Sequence, residues 1–108
     1  MDETRTRVHL IEKKNYFNKL SDREYESGWW SVDDETAKSL VGALILFHET
    51  RQTPSFFGGE VLGFRLETEG DHKDRVIFRF EISNACKGIK AGPKGWSLER
   101  KIVRGVSA

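Results

Sequence analysis

The 108 residues, 32% charged and 37% hydrophobic, suffice for one domain built on one core. No apolar run approaches the ~20 residues of a membrane helix, and a single cysteine, Cys86, leaves no internal disulfide and too few thiols for a zinc site. Eighteen bases against seventeen acids give a net charge of +1, with no overall bias toward an anionic partner.

The opening MDETRTRVHL carries two acids and lacks an apolar segment. No signal peptide is therefore expected, and a reducing, cytoplasmic setting follows. Thr6–Lys13 (TRVHLIEK) reads as a first strand, with His9 facing outward. Tyr16–Ser27 is polar with scattered aromatics and is expected to be an irregular excursion or a short helical turn. After Trp29-Trp30, the stretch Ser31–Asp34 has the form of a capping box, and Asp33, Asp34 and Glu35 favour a helix start. Ala37, Leu40 and Val41 give this helix, Asp33–Val41, an apolar face, and Gly42 ends it.

Ala43–His48 (ALILFH) is a continuous apolar run, the pattern of a strand covered on both faces. Gly58-Gly59 reads as a turn into the alternating strand Glu60–Glu67, since neither phosphate-loop pattern is present. Arg75–Ile82 alternates more cleanly, with Val76, Phe78, Phe80 and Ile82 inward and Arg75, Ile77, Arg79 and Glu81 outward. Trp96, Leu98, Ile102 and Val103 supply one further strand. The sum is an α+β chain of about five strands with one or two short helices. Closure into a small β-barrel covers its inward aromatics most economically.

The charge is unevenly spread. Residues 84–108 hold six bases and one acid, a net +5, whereas residues 1–83 hold 12 bases and 16 acids, a net −4. Trp96 sits inside the basic stretch KGIKAGPKGW, so cations and an aromatic ring are interleaved as a nucleic-acid surface requires. Two aromatic pairs add to this. Trp29-Trp30 and Phe56-Phe57 are each consecutive, and on an extended backbone such neighbours point to opposite sides. One ring of each pair is then free to line a pocket, where an aromatic face can stack on a base. His48 ends the buried strand at a loop mouth, either as a satisfied polar group or as a reader of a ligand. No H-E-x-x-H or comparable metal motif occurs, and no cofactor or metal is expected.

The order of these features resembles the PUA-like superfamily, which includes the EVE, ASCH and YTH groups. The resemblance rests on residues 28–81: Trp29-Trp30, the helix over Asp33–Val41, Gly42 and the apolar strand to Phe47-His48. The polar loop Glu49–Pro54, the glycine-started strand from Phe57-Gly58-Gly59 and the strand Arg75–Ile82 complete it. Asp33-Asp34 stand where EVE domains usually carry an Arg-Asn pair, and the ASCH signature G-x-K-x-x-E-x-R is not met. The resemblance implies a PUA-like barrel that binds RNA or a modified base in a pocket beside the helix.

The leading expectation is a nucleic-acid-binding module for RNA or DNA that holds a base, modified or not, with no membrane partner. Trp29 and Trp30 would wall the pocket, Ser31 or His48 would read the base edge, and Phe56 or Phe57 would form a lid. Arg79, Lys94, Trp96 and Arg100 would meet the nucleic-acid backbone. Two alternatives stand beside it. One is a small amidohydrolase acting on a modified nucleoside, with Lys38, Ser39, Thr50 or Glu60 as candidates. The other is a protein-interaction module that uses the same aromatics, and homo-oligomerisation stays open.

Overall fold

The structure, a computed structural model, describes residues 5–14 and 16–105. The first four residues of the signal-peptide reading, and the last three of the basic segment, lie outside the described residues. Seven strands form one mixed sheet: β1 (Arg7–Ile11), β2 (Phe17–Lys19), β3 (Glu24–Trp30), β4 (Leu44–His48), β5 (Phe57–Leu66), β6 (Val76–Ile82) and β7 (Arg100–Val103). Their order is β2-β3-β6-β5-β4-β1-β7, and every neighbouring pair is antiparallel except β1 and β4. No helix among the described residues is long and apolar enough to cross a membrane.

The α+β class holds, with seven strands where five were expected. The two additional ones, β2 and β3, form a hairpin in the stretch read as irregular. Its pattern is alternation in disguise. Tyr25 packs on the core and Ser27 is fully buried, while Glu24 and Glu26 reach out to Arg79 at 2.8 Å and Arg65 at 2.9 Å. Cross-strand ion pairs thus occupy the solvent positions that apolar periodicity leaves blank.

Helix α1 covers Asp34–Ser39, shorter than the predicted Asp33–Val41. Its cap is Asp33, whose carboxylate accepts from the Thr36 N–H at 2.7 Å; Ser31 makes no capping bond. That bond holds the Asp33 carboxyl below the usual carboxylate range. Leu40 closes the helix and Gly42 turns the chain at φ +87°.

The sheet curls. Register shifts in β3 between Ser27 and Trp30, and between Val61 and Gly63 on the β5–β6 pair, mark bulges that increase its twist. Phe17 on edge strand β2 consequently meets Phe47 on β4, centroid to centroid 4.9 Å, although three strands separate them in the ladder. At the other end, the Arg100 guanidinium donates to the Ser31 carbonyl at 2.7 Å. The ladder itself stays open, with β2 and β7 as edges, so closure into a continuous hydrogen-bonded barrel is not what the described residues show. Strands of three and four residues offer too few backbone groups to complete it.

The concave face holds the core, centred on Val8, Leu10, Trp30, Phe47, Phe78 and Phe80. Phe56 and Phe57 both pack against it, contrary to the expectation that one turns away. Phe56 precedes β5 and is free of strand alternation, its N–H donating to the Phe47 carbonyl at 2.9 Å. Gly58 and Gly59 are not a turn either; they lie inside β5, paired with β4 and β6. Ile77, placed outward by alternation, is also buried and lies against Gly28.

The predicted two-sided burial of β4 is correct. Ile45 and Phe47 enter the core, while Leu44 and Leu46 pack with Cys86 on the convex face. Segment 83–99 straps over that face. Buried Ser55 pins it, donating through Oγ to the Cys86 carbonyl at 2.5 Å and accepting from the Ile89 N–H at 3.0 Å. Burial pushes the Cys86 thiol up, which keeps it protonated.

Candidate ligand cavity between β3 and β7

Where the ladder fails to close, a cavity of about 470 Å3 remains between the end of β3 and the approach to β7. Trp29, Trp30 and Ser31 line one side, Leu98 and Arg100 the other, and Arg75 stands at the start of β6. The two tryptophans are fixed differently. Trp30 is a core residue, 8% exposed, with its Nε1–H donated to Ser27 Oγ at 3.1 Å. Trp29 is half-buried. Its Nε1–H goes to Glu67 Oε2 at 3.2 Å, and His72 stacks on its ring at 4.2 Å with planes 8° apart. Trp29 is therefore the more exposed of the two rings, with one face covered by His72, and Trp30 the buried one.

The opposite wall is a tight two-residue turn. Ser97 N–H bonds the Arg100 carbonyl at 2.8 Å and Arg100 N–H bonds Ser97 at 3.1 Å, leaving Leu98 and Glu99 at the tip. Leu98 adopts φ +54°, a left-handed conformation that disfavours a Cβ-bearing side chain, and is 85% exposed. Arg51 holds this turn by donating to the Leu98 carbonyl at 2.5 Å. A strained, solvent-facing leucine at the rim of a cavity is positioned to cover an occupant.

Charge at the mouth is mixed. Arg75 and Arg100 line the cavity with Glu99, and Lys73, Asp33 and Asp74 line an adjoining recess. An anionic ligand is met by the two arginines, while the carboxylates in the recess repel it. Approach from the Arg75–Arg100 side is thus favoured.

Four of the ten predicted site residues come together here: Trp29, Trp30, Ser31 and Arg100. The others are elsewhere. Phe56 and Phe57 belong to the aromatic core with Phe17, Tyr25 and Phe80, so neither is a lid. Arg79 is paired with Glu24 and does not line the cavity. Lys94 is exposed on the strap over the convex face. Of the amidohydrolase candidates none lines the cavity; Glu60 pairs with Arg5 at 2.7 Å and Ser39 Oγ donates to the Thr36 carbonyl. Leu10, Val32, Arg75, Ser97, Leu98 and Glu99 complete the lining, and no spacing rule joins Leu10 and Arg75 to the rest.

His48 and Trp96 belong to a separate cluster. His9, expected to face outward into solvent, is 1% exposed, and its Nδ1 lies 2.9 Å from His48 Nε2. His48 Nδ1 must carry a hydrogen, because it lies 2.8 Å from the Thr53 carbonyl, which can only accept. In the neutral pair His48 Nε2 then accepts and His9 Nδ1 donates. Trp96 covers both rings at 6.4 and 6.0 Å, and Arg51 sits 5.7 Å from its centroid. Burial, reinforced by His48, Arg7 and Lys101, pushes His9 down to about 3; burial lowers His48 too. This is a satisfied polar knot under the strap.

Among the described residues no group of three His, Cys, Asp or Glu side chains is placed to hold a metal ion. No family model, curated protein or solved structure matches this chain.

Proposed function

We propose that the chain is a nucleic-acid-binding module that holds one base of a single-stranded RNA or DNA segment in the cavity between β3 and β7. The observation that carries this reading is the meeting of Trp29 and Trp30 with Arg75 and Arg100 around one opening of about 470 Å3. That volume falls within the roughly 300–1,000 Å3 of small-molecule sites. A flat aromatic base finds a stacking ring in Trp29 and an apolar floor in Trp30 and Leu10. Its flanking phosphates find Arg75 and Arg100. Ser31 is the polar group nearest the base edge, and Leu98 takes the covering role first assigned to Phe56 or Phe57.

The PUA-like barrel is part of the same proposal. A curled sheet in which Arg100 of edge strand β7 reaches the Ser31 carbonyl after β3, with a short helix between β3 and β4 and a cavity bounded by the segment before that helix, supports it. A cytoplasmic setting, expected from the lone cysteine and the polar N-terminal stretch, belongs to the same proposal.

Titrating fluorescent RNA and DNA hexamers, with plain and methylated bases, at 50 and 200 mM salt tests the reading. Trp29→Ala is expected to weaken binding by about 1–3 kcal/mol, the worth of one stacked base. Arg75→Ala is expected to lower the salt slope by about 1. Lack of saturable binding at the lower salt, or indifference to Trp29→Ala, would refute it.

A further inference from the structure

A second cavity, of about 350 Å3, opens over the outer face of β3, β5 and β6 and shares Trp29 with the first. Tyr16, Phe17 and Trp29 line it together with the carboxylates of Glu26 and Glu67 and the guanidinium of Arg65. The Tyr16 and Trp29 rings meet at 66° with centroids 5.8 Å apart, which makes an aromatic corner. Its indole is held in plane by His72 and at its edge by Glu67, as described above.

The two carboxylates differ. Arg65 engages both oxygens of Glu26, at 2.9 and 3.2 Å. Glu67 forms no ion pair among the described residues. The lining therefore carries a surplus of one negative charge. This disfavours phosphate and favours a cation. The Lys14 ammonium, not part of the lining, lies 5.8 Å from the Tyr16 centroid and offsets part of that charge from the Tyr16 side, leaving the Glu67 side the negative one.

We propose that this cavity binds a small organic cation of the methylated-ammonium class, its methyl groups against Tyr16 and Trp29 and its charge facing the Glu67 carboxylate. The choice within cations follows from hydration. A primary ammonium or metal ion surrenders strong hydrogen bonds to water on entering an aromatic corner. A quaternary ammonium has no N–H to leave unsatisfied, and its spread charge is attracted by the ring faces. Apart from the shared Trp29, the site differs from the base cavity in lining and in sign of charge, and it stands whether or not that cavity holds a base.

Choline and its neutral isostere 3,3-dimethylbutan-1-ol are the probes, titrated against the full chain while the Trp29 indole N–H is followed by NMR. Choline is expected to saturate and to bind roughly tenfold more tightly than the alcohol. Glu67→Gln and Tyr16→Ala are each expected to weaken choline by roughly fivefold or more. Tyr16 is 52% exposed, so its truncation leaves the core untouched. Arg75 lines the base cavity and its adjoining recess but not this one, so Arg75→Ala should leave choline binding unchanged while weakening the oligonucleotides. Equal affinity for choline and the alcohol, absence of saturation, or loss of choline binding in Arg75→Ala would overturn the proposal.

Discussion

Gly59→Ala is expected to destabilise the fold by about 3 kcal/mol, at the upper end of single substitutions. A Cβ at this position would lie 1.8 Å from the Glu81 carbonyl oxygen and 2.6 Å from its carbon. Both are backbone atoms of the adjoining strand β6, so no rotamer can move aside. The strands must separate, and that opens the pairing of Gly59 with Ile82 and Glu60 with Glu81. Gly63→Ala is the internal control. It sits in the same strand, yet its nearest neighbour is the tip of the flexible Arg79 side chain at 4.0 Å. Urea midpoints of the two variants should differ widely, with Gly63→Ala close to the parent. Equal midpoints would show that β5 and β6 do not approach as described.

Stability is expected to fall as the solution is acidified from pH 6.5. His9 and His48 both have native pKa values below their ordinary 6.5, His9 at about 3, so the unfolded chain binds more protons than the folded one. Their contribution is complete above pH 6.5 and is lost on the way down toward pH 3. The slope reaches about 1.4 kcal/mol per pH unit for each histidine that titrates only on unfolding. Between pH 6.5 and 5 this loss belongs to the histidines. Glu26 and Asp33, whose native carboxyls are also lowered, begin from 4.5 and 3.8 and act only below that window. The groups facing the pair are His48 or His9 itself, Arg7, Lys101 and the Arg51-bound Trp96, with no carboxylate among the causes of either shift. Urea unfolding at pH 7, 6 and 5 measures the effect. In His9→Gln/His48→Gln the slope between pH 6.5 and 5 should vanish, whatever stability remains. An unchanged slope would place the titration elsewhere.

Legibility in the sequence followed the source of each signal. Strands β4 and β6 were readable because apolar residues mark them directly: ALILFH is covered on both faces, and Val76, Phe78 and Phe80 point into one core. The β2–β3 hairpin was not readable, because its outward acids are satisfied by Arg65 and Arg79 from other strands. His9 was misplaced for a related reason. Alternation puts it correctly on the face opposite Val8 and Leu10, but that face is roofed by Trp96 from almost ninety residues downstream. Phe56-Phe57 obeyed neither alternative, since the strand starts only at the second ring.

The candidate cavity divides in the same way. Trp29, Trp30 and Ser31 are neighbours in sequence, and their aromatic and polar character was evident from it. Arg75 and Leu98 join them only because bulges curl the sheet until β7 lies across from β3. The segmental charge, −4 then +5, followed from residue counts. Its use did not. The strap carries Lys87, Lys90 and Lys94 over the convex face, so of the basic tail Arg100 alone reaches the cavity among the described residues. Composition and local pattern by themselves determined the α+β class, a core rich in aromatics and the lack of any membrane-length apolar stretch. Tertiary structure alone decided which rings meet which charges, because contacts between strands depend on register and curvature that no local window contains.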